Sequence, residues 1–381
     1  MSTSAAKRLR SFSPPQGSPS AKRGPQTLSI LSWNVDNPCP YLSSSSSKSS
    51  PSSKPISSYF QISAQPAPKV KRKGKAADGP PSSDATPTLR EILAAHAFPQ
   101  ICCLQEVRAL TKDTEAVCQL RQAANHNRSS AKGPSELFDT EVAQDGVQAG
   151  PSYRAYFSLC QSQSGSKRFG VATYVSSDFK HEYTARGVTW DAEGRVMILC
   201  VPSLQLSILN IYALNGSEYA WKDPVSGHPR GTRNERKREF NRLLMRECQS
   251  LQKIGYRLVM VGDWNISREK RDCFPRLRTE EPHAMARQEF NEIFMPTLGV
   301  VDVFREIHGD KRSYSWFSRH KPDRTDAARV DFALVSSGLE KCTSRIEYLE
   351  DEKWRYKSDH APMSLVLEMN TLMKEVKEVT E

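Results

Sequence analysis

The chain has 381 residues, 38 % of them hydrophobic, and its 54 Lys and Arg outnumber 43 Asp and Glu for a formal charge of +11. That length suits one large domain with polar additions, and the basic excess points to polyanionic partners, because cations that neutralise phosphates release counterions. With no run of about 18 apolar residues and no signal-peptide core, neither membrane insertion nor secretion is expected.

Residues 1–26 hold five basic and no acidic residues among repeated Ser and Pro, so a disordered basic tail is expected. A mitochondrial transit peptide is the second reading, opposed by Pro14, Pro15 and Pro19. LSILSWNV, from Leu28 to Val35, reads as a buried strand. Residues 38–87 then form a Ser-, Pro- and Lys-rich stretch too long for a loop, expected to be a disordered insertion. Thr88 is a candidate cap for LREILAAHAF, where Leu89, Ile92, Leu93 and Ala97 fall near helical spacing; Pro99 ends that helix and ICCLQE resumes as a strand. Residues from about 110 to 150 are weakly patterned and read as a second polar insertion.

Beyond them FGVATYV, RVMILCV, LSILNIY, RLVMVGD, RVDFALV and MSLVLEM read as strands. Between the third and fourth lies TRNERKREFNRLLMRECQSL, whose Phe240, Leu243, Leu244, Cys248 and Leu251 form one apolar helical face. Residues 27–369 therefore make one strand-rich α/β domain, followed by a charged tail over 370–381. The nine cysteines include no C-x-x-C pair and several sit in apolar runs such as ICCL and MILCV. A reducing compartment and no structural zinc are expected.

The chemistry-bearing residues gather where strands end: Asn34 and Asp36 after LSILSWNV, Glu106 after ICCL, Asp263 and Asn265 after LVMVG, Asp331 within RVDFALV, and Asp359 with His360 before the last strand. Converging acids repel unless a cation joins them, and a hard, oxygen-preferring ion such as Mg²⁺ suits the set. Alternation along RVDFALV sends Asp331 and Ala333 to one face and Val330, Phe332 and Leu334 to the other.

The blocks LSWNVD, PQICCLQE, FGVATY, LNIYALNG, VGDWNIS, YSWF, RVDFALVSS and SDHAPMSL resemble, in order and spacing, the exonuclease III-like abasic-site endonucleases of the endonuclease/exonuclease/phosphatase superfamily. That resemblance implies the deoxyribonuclease I-like fold, a four-layered α/β sandwich of two packed mixed sheets flanked by helices. It implies Mg²⁺ dependence, with Mn²⁺ as a substitute, and incision of DNA 5′ to abasic sites in base excision repair. The reaction leaves a 3′ hydroxyl, with 3′-phosphodiesterase and 3′–5′ exonuclease action on 3′-blocked ends as accompaniments. Another hydrolase of the superfamily, an RNA deadenylase or a phosphoinositide phosphatase, is the rival enzyme, and a non-catalytic DNA- or clamp-binding scaffold the rival of another class.

Carried onto this sequence, the resemblance makes Glu106 the principal metal carboxylate, with Asp36, Asn34 and Asp359 around it and Asn34 counted with the substrate groups as well. His360, oriented by Asp331, stabilises phosphate charge; Asp263 deprotonates the attacking water; Asn265 positions that water; Tyr212 and Asn215 bind the phosphate. Whether one or two ions act, and whether Asp263 or a Tyr212 phenolate is the base, stays open at this level. Trp316 and Phe317 match the aromatics that close over the extruded sugar. Arg230, Arg233, Arg236, Lys237 and Arg238 read equally as a DNA-backbone groove or a solvated helix start. The chain departs from the family at Asn37 and Pro38, where a Gly is usual. Within the first insertion, KVKRKGK at Lys69–Lys75 reads as a nuclear import signal, with a mitochondrial pool as the second location. SKPISSYF, with Ile56, Tyr59 and Phe60, resembles a sliding-clamp-binding peptide whose usual Gln is replaced by Ser53. A monomer is expected.

Overall fold

A computed structural model describes residues 27–42, 86–125, 150–162, 169–319 and 326–372. Two six-stranded sheets form its centre. The first runs, in spatial order, Thr343–Tyr348, Met363–Glu368, Thr27–Asn34, Ile101–Gln105, Val171–Ser176, Tyr153–Ser158. The second runs Val300–Asp302, Asp331–Ser336, Arg257–Asp263, Leu206–Tyr212, Val196–Val201, Thr184–Gly187. Each sheet has one parallel pair at its middle, Thr27–Asn34 with Ile101–Gln105 and Arg257–Asp263 with Leu206–Tyr212, while its other pairs are antiparallel.

Alternation along the strands sorts side chains into layers. Leu28, Ile30, Ile101, Cys103, Ile208, Val259, Val261, Ala333, Val335 and Leu365 meet between the sheets. The opposite face of the second sheet, with Leu209, Ile211, Met260, Phe332 and Leu334, packs on Phe240, Leu244, Cys248 and Leu251 of the Arg233–Lys253 helix. Leu31, Trp33, Cys102 and Leu104 on the outside of the first sheet pack on Ile92 and Leu93 of the Leu89–Ala95 helix and Leu120 of the Thr114–Ala123 helix. This is the four-layered sandwich. Both Leu89–Ala95 and Arg233–Lys253 start in a reciprocal capping box, Thr88 with Glu91 and Thr232 with Glu235. A buried polar link joins the sheets: Gln105 Nε2 donates to Asn210 Oδ1 at 2.8 Å, and Asn210 Nδ2 donates to the Ala172 carbonyl at 2.9 Å.

The inferred insertions and tail are narrower than composition implied. Within 110–150 the helix Thr114–Ala123 forms, started by Asp113; it buries only Leu120 and Ala123, so its remaining polar surface hides it from a pattern reading. At the start of 38–87 a short turn places Tyr41, 2 % exposed, 5.0 Å from the Trp33 ring. In the 370–381 tail Leu372 is fully buried in the inter-sheet core. The 1–26 tail, the Lys69–Lys75 run and Ile56, Tyr59 and Phe60 lie outside the described residues. The edge strands Thr184–Gly187 and Thr343–Tyr348 escaped the pattern reading because they are only partly buried. No helix among the described residues is long and apolar enough to cross a membrane.

Gly262 sits at the tightest point of the second sheet. At φ 138°, a Cβ there would lie 1.9 Å from the Ile211 carbonyl oxygen of the paired strand. Gly262→Ala is expected to destabilise the fold by about 3 kcal/mol, read by urea unfolding, and to displace the adjoining Asp263.

Candidate active site

Strand pairing does most of the assembly. Tyr212, Asp263 and Asp331 are direct register partners across three neighbouring strands, and Asn34 pairs with Gln105 at the corresponding end of the first sheet. Asp263 and Asp331, 1 % and 2 % exposed, are thus buried opposite one another. Two carboxylates so placed repel, and His360 relieves them: its Nδ1 lies 2.8 Å from Asp331 Oδ2 and its Nε2 4.0 Å from Asp263 Oδ2. Because an ionised carboxylate only accepts, the proton on Nδ1 belongs to the imidazole. The His360 backbone is fixed by the Trp33 indole, which donates to its carbonyl at 3.0 Å, and by Ser358, whose hydroxyl accepts from its N–H at 3.0 Å.

Two carboxamides hold Asp263. Asn34 Nδ2 donates to Asp263 Oδ2 at 2.9 Å and to Glu106 Oε2 at 3.3 Å; Asn265 Nδ2 donates to Asp263 Oδ2 at 3.1 Å, and the Asn265 N–H to Oδ1 at 2.9 Å. Asn34 Oδ1 accepts from the Asp36 N–H at 2.9 Å. In this arrangement the Asn34 amide faces two acceptors and its oxygen accepts from the Asp36 N–H, so it positions both carboxylates.

Beside this cluster Asp36 and Glu106 share one cation, Arg108, whose Nη2 stands 2.5 Å from Asp36 Oδ1 and 2.7 Å from Glu106 Oε1. Arg319 reaches Asp36 Oδ2 at 2.7 Å and lies 3.6 Å from Asp359 Oδ1. Asp36, Glu106, Arg108 and Asn265 have φ of 55°, 60°, 47° and 52°, left-handed values that non-glycine residues rarely adopt and that concentrate at working sites. Neither arginine stood out in the sequence; the available signal was Arg108 two places after Glu106.

A cleft of about 840 Å³ opens over these groups, lined by Asn34, Asp36, Glu106, Tyr212, Asn215, Asp263, Asn265, Trp316, Asp359 and His360 among others. Trp316 donates through Nε1 to Asp359 Oδ2 at 3.0 Å, which ties Asp359 to the aromatic wall. Phe317 is corrected: it is 5 % exposed, packs with Ala327 and Ala361, and does not line the cleft, because neighbours on the short Trp316–Phe317 strand face opposite ways. Of the basic helix start, only Lys237 lines the cleft. Arg236 and Arg238 are ion-paired to Asp191 and Glu289, Arg230 lies 3.6 Å from Asp223, and Arg233 donates to the Asn215 carbonyl at 3.2 Å.

Burial alone would lower the His360 pKa, but the charge and hydrogen bond of Asp331, with Asp263 and Asp359, lift it to about 10. Burial and the Asp331 charge push Asp263 up to about 7. Burial and the Glu106 charge hold the Tyr212 phenol well above its usual range, which opposes a phenolate at neutral pH. His360 therefore adds stability that is complete below its ordinary 6.5 and fades as pH rises through about 10. Asp263 acts in the same direction, its contribution fading between 3.8 and about 7. The metal-free protein should lose stability steadily from neutral to alkaline pH, and Asp331→Asn should lower the His360 pKa by about 2 pH units in an NMR titration.

A model of the Endonuclease/Exonuclease/phosphatase family matches residues 31–360. No curated protein matches the chain in sequence. Among solved structures, the AP endonuclease LMAP from Leishmania major is 17 % identical over 90 % of this chain and 88 % of that one, with a TM-score of 0.57. The APE2 catalytic domain from Xenopus laevis is 18 % identical over 90 % and 92 %, with a TM-score of 0.55. The 3′ phosphatase NExo from Neisseria, bound to product DNA hairpin, is 21 % identical over 72 % and 91 %, with a TM-score of 0.51. These likenesses bear on the fold, and they agree with the two-sheet sandwich and the motif order: the chain belongs to the Endonuclease/Exonuclease/phosphatase family.

Proposed function

We propose that the protein is a divalent-metal-dependent phosphodiesterase that cuts DNA 5′ to abasic sites and trims blocked 3′ ends by the same chemistry. The observation that carries this reading is the juxtaposition of the Asp331–His360–Asp263 line with the Asp36 and Glu106 pair on one cleft floor. The likeness to the Neisseria 3′ phosphatase bound to product DNA hairpin supports the 3′-end activity.

The residues fit a hard cation. Asp36 and Glu106 present oxygen donors from left-handed backbone, and both already attract a guanidinium, so the pair is built around positive charge. Asp36 and Glu106 would hold the ion, with Asn34 fixing Glu106. When bound it would neutralise charge on the scissile phosphate. The chain's own groups do the rest. His360, held protonated by Asp331, donates from Nε2 to a non-bridging phosphate oxygen and stabilises the charge gained at the transition state. Asp263, clamped by Asn34 and Asn265 and raised to about 7, takes the proton of the attacking water near neutral pH. Tyr212, kept as the neutral phenol, donates to a phosphate oxygen, and Asn215 adds a second amide. Trp316, fixed by Asp359, walls the slot for a sugar without a base, which is the cheapest nucleotide to extrude.

Nuclear import through Lys69–Lys75 and clamp binding through Ile56, Tyr59 and Phe60 accompany this reading on the strength of their sequences. A labelled peptide of residues 50–65 should bind the clamp, and no binding at high micromolar concentration sinks that part.

A duplex carrying one tetrahydrofuran site, incubated with Mg²⁺, should be incised only at the lesion and not at all in EDTA. Glu106→Gln and Asp263→Asn should each lower the rate by about 10²- to 10⁴-fold with the fold intact. Incision of the undamaged strand at equal rate would refute the assignment. Removing the competing guanidinium by Arg108→Gln should tighten Mg²⁺ binding by roughly three- to fivefold in calorimetry, the worth of a half-exposed ion pair.

A further inference from the structure

Lys237 is 4 % exposed, yet it meets no carboxylate at ion-pair distance among the described residues. Its single hydrogen bond there runs from Nζ to the Asn265 carbonyl at 2.6 Å. Arg195, Arg236 and Arg329, buried likewise, are treated differently: Arg195 pairs with Glu193, Arg236 with Asp191, and Arg329 with Asp272 and Asp302. An unpaired ammonium taken out of water is expensive, and such groups concentrate where a ligand completes them.

The surroundings of Lys237 worsen the imbalance. Arg278, His283 and Arg287 line the same arm of the cleft. Arg287 Nη2 donates to the Arg278 carbonyl at 2.7 Å, which draws one cationic side chain onto the backbone of another. Burial first, then the charges of Arg278, Arg233 and Arg287, press the Lys237 ammonium down to about 7 against the pull of Asp263. Burial, Arg278 and Lys237 likewise hold His283 below its usual value, with Glu280 opposing them. The cleft is thus bipolar: acids at one end, unneutralised cations at the other. Asn265 joins the two ends, bonded through its side chain to Asp263 at 3.1 Å and through its carbonyl to Lys237.

We propose that the arm formed by Lys237, Arg278, His283 and Arg287 is a second phosphate site, which takes the phosphodiester one nucleotide from the scissile bond on the cleaved strand. Phosphates recur about every 3.4 Å of axis along one strand, so a strand whose reactive phosphate lies over Asp263 must carry the next charge along the cleft. Three positive side chains and an imidazole in partly desolvated surroundings hold that charge without first having to be gathered, and they fix which stretch of backbone enters the acidic end. The residues that neutralise it are Lys237 from the Arg233–Lys253 helix, Arg278 from the loop between Cys273–Phe274 and the His283–Glu289 helix, and His283 and Arg287 from that last helix.

This rests on the DNA reading above, and the test separates the two. Binding of the tetrahydrofuran duplex would be followed by fluorescence anisotropy in EDTA at several salt concentrations, for the wild type, the Arg278→Gln/Arg287→Gln double variant, Lys237→Met, and the control Lys253→Gln. Lys253 ends the Arg233–Lys253 helix, about 24 Å of rise beyond Lys237, and does not line the cleft. The double variant removes side chains that are exposed or half-buried and keeps the test valid should Lys237→Met fold poorly. The expected result is a salt slope shallower by about 0.9 in the double variant and in Lys237→Met, with weaker binding at low salt and an unchanged slope for Lys253→Gln. Slopes equal to wild type in the double variant, or a fall no larger than that of Lys253→Gln, overturn the second site while leaving the DNA reading in place. A wild type that binds no duplex overturns both.

Discussion

Asp263 and Asp331 face each other across an antiparallel pair in direct register, both nearly without solvent. Two ionised carboxylates so placed would split the sheet or stay protonated, and removing one partner from a buried charge set typically costs about 3–5 kcal/mol. His360 makes the arrangement tenable by standing against both acids. Much of the nearby structure exists to keep it there: the Trp33 indole and the Ser358 hydroxyl anchor its backbone, while the Tyr348 hydroxyl donates to the Asp331 carbonyl at 2.6 Å. The same contacts that let the fold tolerate this charge cluster produce a protonated donor beside a proton-accepting carboxylate.

The two sheets must also be held at a common height, since Asn34 comes from the first and Asp263 from the second. Apolar packing between sheets resists separation but not sliding, because it has no direction. The buried bonds from Gln105 to Asn210 and from Asn210 to Ala172 supply the missing direction close to the rim. Asn34 then spans the remaining gap, with one carboxamide linking Glu106, just beyond the first sheet's Ile101–Gln105 strand, to Asp263 of the second sheet. Backbone strain is stored at the same rim, where Asp36, Glu106, Asn265 and Arg108 hold left-handed φ, as Ala97, Phe98, Gln205 and Tyr356 also do elsewhere in the described residues.

Charge is distributed in the cleft with a polarity that composition conceals. Most arginines of the basic helix start serve the fold by pairing with acids, and only Lys237 reaches the cleft, where it joins the cations of a later loop and helix. A net charge of +11 says that polyanions are welcome; it does not say that the positive charge in the cleft is drawn from Lys237 and from the segment holding Arg278 and Arg287.

Much was legible in the residues themselves. The apolar runs, the helix at Phe240–Leu251 and the cap at Thr88 are local signals, set by strand alternation, helical spacing and the need to satisfy free N–H groups, and local signals survive without tertiary context. The acids at strand ends were visible for the same reason. What the chain alone could not reveal was set by contacts between distant segments. The Thr114–Ala123 helix is stabilised by a narrow apolar stripe that only the first sheet makes meaningful, and Leu372 becomes core only because the last strand carries it there. Phe317 and Trp316 are equally aromatic, and their opposite fates follow from one strand's pleat. The arginine bridge from Arg108 to Asp36 and Glu106, and the unpaired Lys237, depend on side chains converging from loops whose approach is fixed by long-range packing. The sequence by itself determined the elements and the kinds of groups at their ends; tertiary structure alone decided which of those groups share a charge, because electrostatic coupling depends on distance and burial, and neither is a property of a single segment.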